Sequence, residues 1–145
     1  MNFTLNCFID SDVIISAVIS QKGVAYWFLT QTDVKKFISN YSKIEVLKVA
    51  KRLKLNLRQT RAILNYCQVV EIDRSLNLIK TNWEKYVTDV DDAHIIAGAA
   101  KAKARFLISY NQKHFRTELI KRELDIISMR PAWFLQYLRS SINRQ

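Results

Sequence analysis

Glycine occurs twice and proline once in 145 residues, and no Ser-, Gln- or Pro-rich run appears. The chain therefore lacks the material of a flexible linker, a low-complexity segment or an internal repeat. Its length and its 49% hydrophobic content suit one domain over residues 1–145 with its own core. Cysteine is scarce too. Cys7 lies in an apolar strand-like run and Cys67 near a helix end, with no CxxC or Cys/His spacing. Both read as small buried hydrophobes of a reducing compartment, without the spacing of a zinc site. The apolar run "CFIDSDVIISAVI" is broken by Asp10 and Asp12, has no basic leader or small-residue cleavage site, and no other run reaches membrane-span length. A cytoplasmic protein without a membrane partner is expected.

Acidic residues are the other minority. Asp and Glu number 13 against 23 Lys and Arg, a formal charge of +10, and the pI is about 9.8. Such an excess suggests a polyanionic partner. It is unevenly placed: between Glu45 and Glu71 stand Lys48, Lys51, Arg52, Lys54, Arg58 and Arg61 and no acid. These residues form either a nucleic-acid-binding face or a solvated helix surface. Against that background "TDVDDAH" places Asp89, Asp91 and Asp92 together at a predicted helix start. Helix N-termini favour Asp through unpaired N–H groups and a partial positive charge. Capping accounts for one of the three. Asp92 also begins the stripe Ile95, Ile96, Ala99 and Ala100, which helical spacing turns toward the core, an unusual place for a merely solvated charge.

Hydrophobic periodicity predicts strands over Leu5–Ile9, Lys36–Ser39, Val69–Ile72, Phe106–Ser109 and Leu124–Ser128. Helices are predicted over Val13–Ile19, Val24–Gln31, Ser42–Leu53, Leu57–Tyr66, Leu76–Tyr86, Asp92–Ala104 and from Pro131 through Leu138. Alternation of the two implies an α/β fold, a mostly parallel sheet with helices on both faces. The functional crevice of such a sheet lies beyond the carboxyl ends of its strands, at a switch in strand order. Asp10 stands at one such end and Ser109 to Asn111 at another.

No GxxxxGK[ST], GxGxxG, nucleophile elbow or Ser/His/Asp set is present, which removes nucleotide-cradling and serine-hydrolase readings. Clustered carboxylates suit a hard divalent cation, which can orient water and neutralise charge developing on a phosphate. Asp10, Asp12, Glu45, Asp89, Asp91 and Asp92 are the candidates.

Four pieces in order, "FIDSDVIISAV", "FISNYSKIEVLKVAKRLKL", "DVDDAHIIAGAAKAKARFLISYNQKHF" and "DIISMRPAWFLQYL", resemble a PIN domain over essentially the whole chain. The likeness is greatest to bacterial PIN-domain ribonucleases, including the VapC-type toxins of toxin–antitoxin pairs. The resemblance implies a three-layer α/β/α domain around a mostly parallel sheet of about five strands. It further implies a metal-dependent endoribonuclease using Mg²⁺ or Mn²⁺, with Asp10, Glu45 and Asp92 as catalytic and metal-site carboxylates. Ser109 is then the small hydroxyl residue that ends the fourth strand, and RNA crosses Lys48, Lys51, Arg52, Arg58 and Arg61. An antitoxin protein and a second copy of the chain are candidate partners.

The departures from the family pattern are specific. Asp12 stands where the family usually has Asn, either adding an acid or capping the helix, with the cap preferred. Asn111 replaces a common fourth acid and weakens the expected grip on the ion, so that Asn111 or Asp91 is left as the further ligand. His94 and His114 read as packing or surface histidines, and Glu45 alone could be a solvated neighbour of Lys48. Two other readings stay open. An Asp-x-Asp after an apolar strand also opens haloacid dehalogenase-like phosphatases, although Val13 and Ile14 stand where that family has other residues. A PIN-like RNA- or partner-binding domain that does not cleave is the other.

Overall fold

A computed structural model describes residues 5–143, with side chains through Ser141. Its centre is a sheet of β1 (Asn6–Ile9), β2 (Lys35–Ser39), β3 (Gln68–Val70), β4 (Phe106–Ile108) and β5 (Ile127–Met129). The order is β3-β2-β1-β4-β5 and every pairing is parallel, so the sheet is wholly rather than mostly parallel. Alternate side chains of β1 serve opposite cores, as the pleat requires. Cys7 and Ile9 join Ile38, Phe106 and Ile108 under the helices α1 (Ser11–Ile19), α2 (Val24–Gln31), α3 (Asn40–Arg52), α4 (Leu57–Leu64) and α8 (Pro131–Asn143). Phe8 and Leu107 face the other way, against α5 (Leu76–Trp83), α6 (Ala93–Lys101) and α7 (Thr117–Leu124). These are the three layers the sequence implied.

Several boundaries differ from the sequence expectation, each for a local reason. Helix α7 lies in "TELIKREL", where only Ile120 is buried; one anchor gives too narrow a stripe for periodicity to reveal. Its last residue is Leu124, and Asp125 then adopts a left-handed conformation (φ 57°). The strand expected from Leu124 therefore begins only at Ile127. Helix α6 stops before Lys103, which is left-handed (φ 54°), while Ala104 N–H donates to the Ala99 carbonyl at 3.0 Å. That is the usual way a helix satisfies its last carbonyls, performed here by Lys in a chain that spends almost no glycine. Past Trp83 the expected helix tightens into a 3₁₀ turn, Glu84–Tyr86.

One of the two glycines sets how closely α6 approaches the sheet. A Cβ at Gly98 would lie 2.5 Å from Phe8 Cζ, inside any van der Waals contact, and Phe8 is fully buried. The bare Gly98 backbone thus lets α6 lie directly on β1, carrying its N-terminus toward the strand ends. No single helix among the described residues is long and apolar enough to cross a membrane.

Candidate functional site

From β1 the chain proceeds outward through β2 and β3, then returns to add β4 and β5 on the opposite side of β1. The order therefore reverses between β1 and β4, which is where a crevice opens in sheets of this kind. Asp10 ends β1 there, with its N–H donating to the Ile108 carbonyl of β4 at 2.9 Å. Its carboxylate does two jobs. Oδ1 accepts from Ser11 N–H at 2.8 Å, capping α1, and Oδ2 accepts from Ser109 Oγ at 2.7 Å. Asp12 does not cap α1. Its Oδ2 accepts from Tyr110 N–H at 3.1 Å and lies 3.5 Å from Ser109 Oγ, so it reaches across the switch point to β4, and the capping preference is corrected.

The three neighbouring aspartates separate into three roles. Asp89 caps the 3₁₀ turn Val90–Asp92 by accepting from Asp91 N–H at 3.0 Å. Asp91 pairs with Lys80 of α5 at 3.1 Å, its own side chain 75% exposed, and lies outside the cleft. Asp92 occupies the N-cap position of α6 yet makes no capping hydrogen bond. Its carboxylate lines the cleft instead. The segment carrying it is strapped down by an isolated antiparallel bridge between Val87 and Phe115 and by Thr88 N–H donating to the His114 carbonyl at 3.0 Å.

Glu45, from α3, faces the same cleft of about 480 Å³, together with Asp10, Asp12, Asp92, Asn111 and His114. The structure thus brings together the three carboxylates expected of a metal site, adds Asp12, and keeps Asn111 at the rim, where its N–H donates to Ser109 Oγ at 3.0 Å. The basic residues are exposed but not equivalent. At about 100° per residue, Lys48 and Arg52 lie within about 60° of Glu45 around α3, and Lys51 about 120° away. Arg58 and Arg61 lie on α4 and do not line the cleft.

Both histidines do more than pack. His94 Nε2 stands 3.3 Å from Glu45 Oε2, and His114 Nδ1 3.1 Å from Asp92 Oδ2. Neither contact has hydrogen-bond geometry, since both oxygens are buried without a hydrogen-bond partner. The available sequence signal was position: His94 is two residues after Asp92 and His114 three after Asn111.

Crowded carboxylates under burial resist ionisation. Burial pushes Asp12 up to about 7, with the Asp10 charge adding to it. Asp92 is pushed up to about 6 by burial and then by Asp10, with His114 opposing. Asp10 is raised by burial, against the Ser109 hydrogen bond that favours its charge. Among the described residues the buried side-chain atoms left without partners are Asp12 Oδ1, Glu45 Oε2, Asp92 Oδ2 and His94 Nδ1, and the three oxygens belong to residues that line the cleft. Unsatisfied carboxylate oxygens fit a hard divalent cation. Among the described residues no three His, Cys, Asp or Glu side chains close on a single point.

Comparison with known proteins agrees with this architecture. The chain matches a toxin–antitoxin complex from Klebsiella pneumoniae with a TM-score of 0.61 and 20% identity, over 83% of this chain and 95% of that one. VapBC2 from Rickettsia felis, bound to a DNA fragment from its promoter, matches with a TM-score of 0.59 and 13% identity, over 87% and 98%. The sarcin–ricin-loop-cleaving toxin VapC20 of Mycobacterium tuberculosis matches with a TM-score of 0.52 and 16% identity, over 70% and 86%. At such identities the likeness is one of fold. No curated protein matches in sequence. The family model for the PIN domain matches residues 6–113, which include every carboxylate of the cleft, and the chain belongs to the PIN domain family.

Proposed function

We propose that this protein is a metal-dependent endoribonuclease, the toxin of a toxin–antitoxin pair, acting on RNA phosphodiester bonds in the cytoplasm. The observation that carries the reading is the meeting of Asp10, Asp12, Glu45 and Asp92 in one cleft at the switch point of a chain with formal charge +10. Asp10, Glu45 and Asp92 would hold Mg²⁺ or Mn²⁺, in part through the ion's own waters, with Asp12 and Asn111 supporting. When bound, the ion supplies an activated water and neutralises charge on the phosphate. The chain's own residues prepare the place. Ser109 Oγ fixes Asp10 Oδ2, and Tyr110 N–H fixes Asp12 Oδ2. Asp12 Oδ1, Glu45 Oε2 and Asp92 Oδ2 are without partners and so free to take up the ion or its waters. Lys48 and Arg52 on α3 receive the RNA backbone beside them, and Lys51, Arg58 and Arg61 extend the positive surface.

An antitoxin partner is supported by the company the fold keeps, since a structure described as a toxin–antitoxin complex from Klebsiella pneumoniae shares it. An acidic segment covering the cleft would meet the same cations as RNA does. The phosphatase reading loses support from the fold, and the non-cleaving binder separates from the nuclease by experiment. Incubation of the purified protein with single-stranded RNA should give cleavage that EDTA abolishes and added Mn²⁺ or Mg²⁺ restores. RNA binding without cleavage at any metal concentration would establish the binder instead.

A further inference from the structure

Resting on that reading of the cleft, we infer that His94 is a positioning residue that holds Glu45 at the site. Glu45 is the outlier among the carboxylates. Asp10 and Asp12 are tied by hydrogen bonds to Ser11, Ser109 and Tyr110, and Asp92 is placed by the strapped turn before α6. Glu45 has a longer side chain, 43% exposed, with His94 Nε2 3.3 Å from its Oε2.

The imidazole is well placed to restrain it. Its side chain is only 12% exposed, and its ring lies 6.4 Å from that of Tyr41. Tyr41 is in turn anchored by its hydroxyl, which donates to the Arg74 carbonyl. His94 belongs to α6 two residues beyond Asp92, while Glu45 belongs to α3. The ring therefore couples the helix carrying one carboxylate to the helix carrying another. Glu45 Oε2 is buried and lacks a hydrogen-bond partner, 3.3 Å from His94 Nε2. At that distance, rotation of the ring or of the carboxylate can bring an N–H onto that oxygen. Neutral imidazole supplies this donor as well as the charged form does. Hydrogen-bond partners behind the ligands of a metal site commonly change ion affinity by about 10- to 100-fold.

The test is Mn²⁺ affinity by isothermal titration calorimetry, for wild type, His94→Leu, His94→Gln, Glu45→Ala and the double variant Glu45→Ala/His94→Leu. His94→Leu should weaken binding at least about tenfold, and His94→Gln, which keeps an N–H near Nε2, should stay within about threefold of wild type. In the Glu45→Ala background His94→Leu should add almost nothing, because neighbours acting through one contact are not additive. His94→Asn, which ends short of Glu45, replaces the Leu variant should that one not fold. Equal losses with and without Glu45, or wild-type affinity in a folded His94→Leu protein, would overturn the positioning role alone. Absence of Mn²⁺ binding by the wild type would overturn it together with the metal reading beneath it.

Discussion

Asp92 shows how much a single residue can hold back from sequence reading. Three aspartates in four residues fit a cap cluster and a site equally well, and they prove to be one cap, one surface ion pair and one cleft carboxylate. Asp10 was legible because a strand that ends in an acid at a sheet's carboxyl edge has few other purposes. Asp12 was not, because its partner Tyr110 N–H is 98 residues away and exists only once β1 and β4 are paired. The crowding makes a pH prediction. Asp12 and Asp92, raised to about 7 and about 6, bind protons more tightly folded than unfolded. Their contribution to stability is full below about pH 4 and is lost as pH rises through about 6 to 7. Metal-free protein should lose thermal stability across that window for this reason, and Mn²⁺ should restore it, since a bound cation favours the ionised form. A melting temperature from pH 5 to 8 that is flat, with and without EDTA, would contradict this. Asn111→Asp adds a charged oxygen at the rim and should tighten Mn²⁺ binding by calorimetry. Unchanged affinity would place residue 111 outside the ion's reach.

Among the elements, α6 determines the site most directly, because its N-terminus presents Asp92 and its Gly98 face touches Phe8. The small-residue run Ala97–Ala100 was readable as a tightly packed helix, but its contact with Phe8 was not. Gly98→Ala gains about 1 kcal/mol of helix propensity. It also drives a methyl into a fully buried ring, and overpacking of this kind costs about 1–3 kcal/mol. Net destabilisation of up to about 2 kcal/mol is expected in urea unfolding, with weaker metal binding as α6 lifts. At the other end of the helix, Lys103→Gly relieves a left-handed residue and should raise the melting temperature. Helix α7 and the start of β5 escaped sequence reading together, because a helix with one buried anchor carries almost no periodic signal.

At the scale of the molecule, the excess of positive charge is the feature most visible in composition and the least resolved by it. The fold sorts the cations: Lys48 and Arg52 flank the face of α3 that carries Glu45, while Arg58 and Arg61 sit away on α4. Charge reversal at Lys48 and Arg52 should weaken RNA binding and lower the slope of log affinity against log salt by about 1 to 1.5, as loss of two phosphate contacts on a single strand would. The same reversal at Arg58 and Arg61 should change that slope less. The alternation of strands and helices was enough to give the parallel sheet and its crevice, whereas strand order, which brings Asp10 beside Ser109, required the folded chain.

The central claim is that the cleft carboxylates cleave RNA. It is tested most directly by the cleavage rate of Asp10→Asn at saturating Mn²⁺, with circular dichroism to establish that the variant is folded. Asn keeps the volume, can still accept from Ser11 N–H through its amide oxygen and can donate to Ser109 Oγ through its amide nitrogen, but removes a charge from the ion's site. The rate should fall by about 100-fold or more, equivalent to about 3 kcal/mol of transition-state stabilisation, while RNA affinity and its salt dependence stay near wild type. A folded Asp10→Asn protein that cleaves RNA at the wild-type rate would contradict the account.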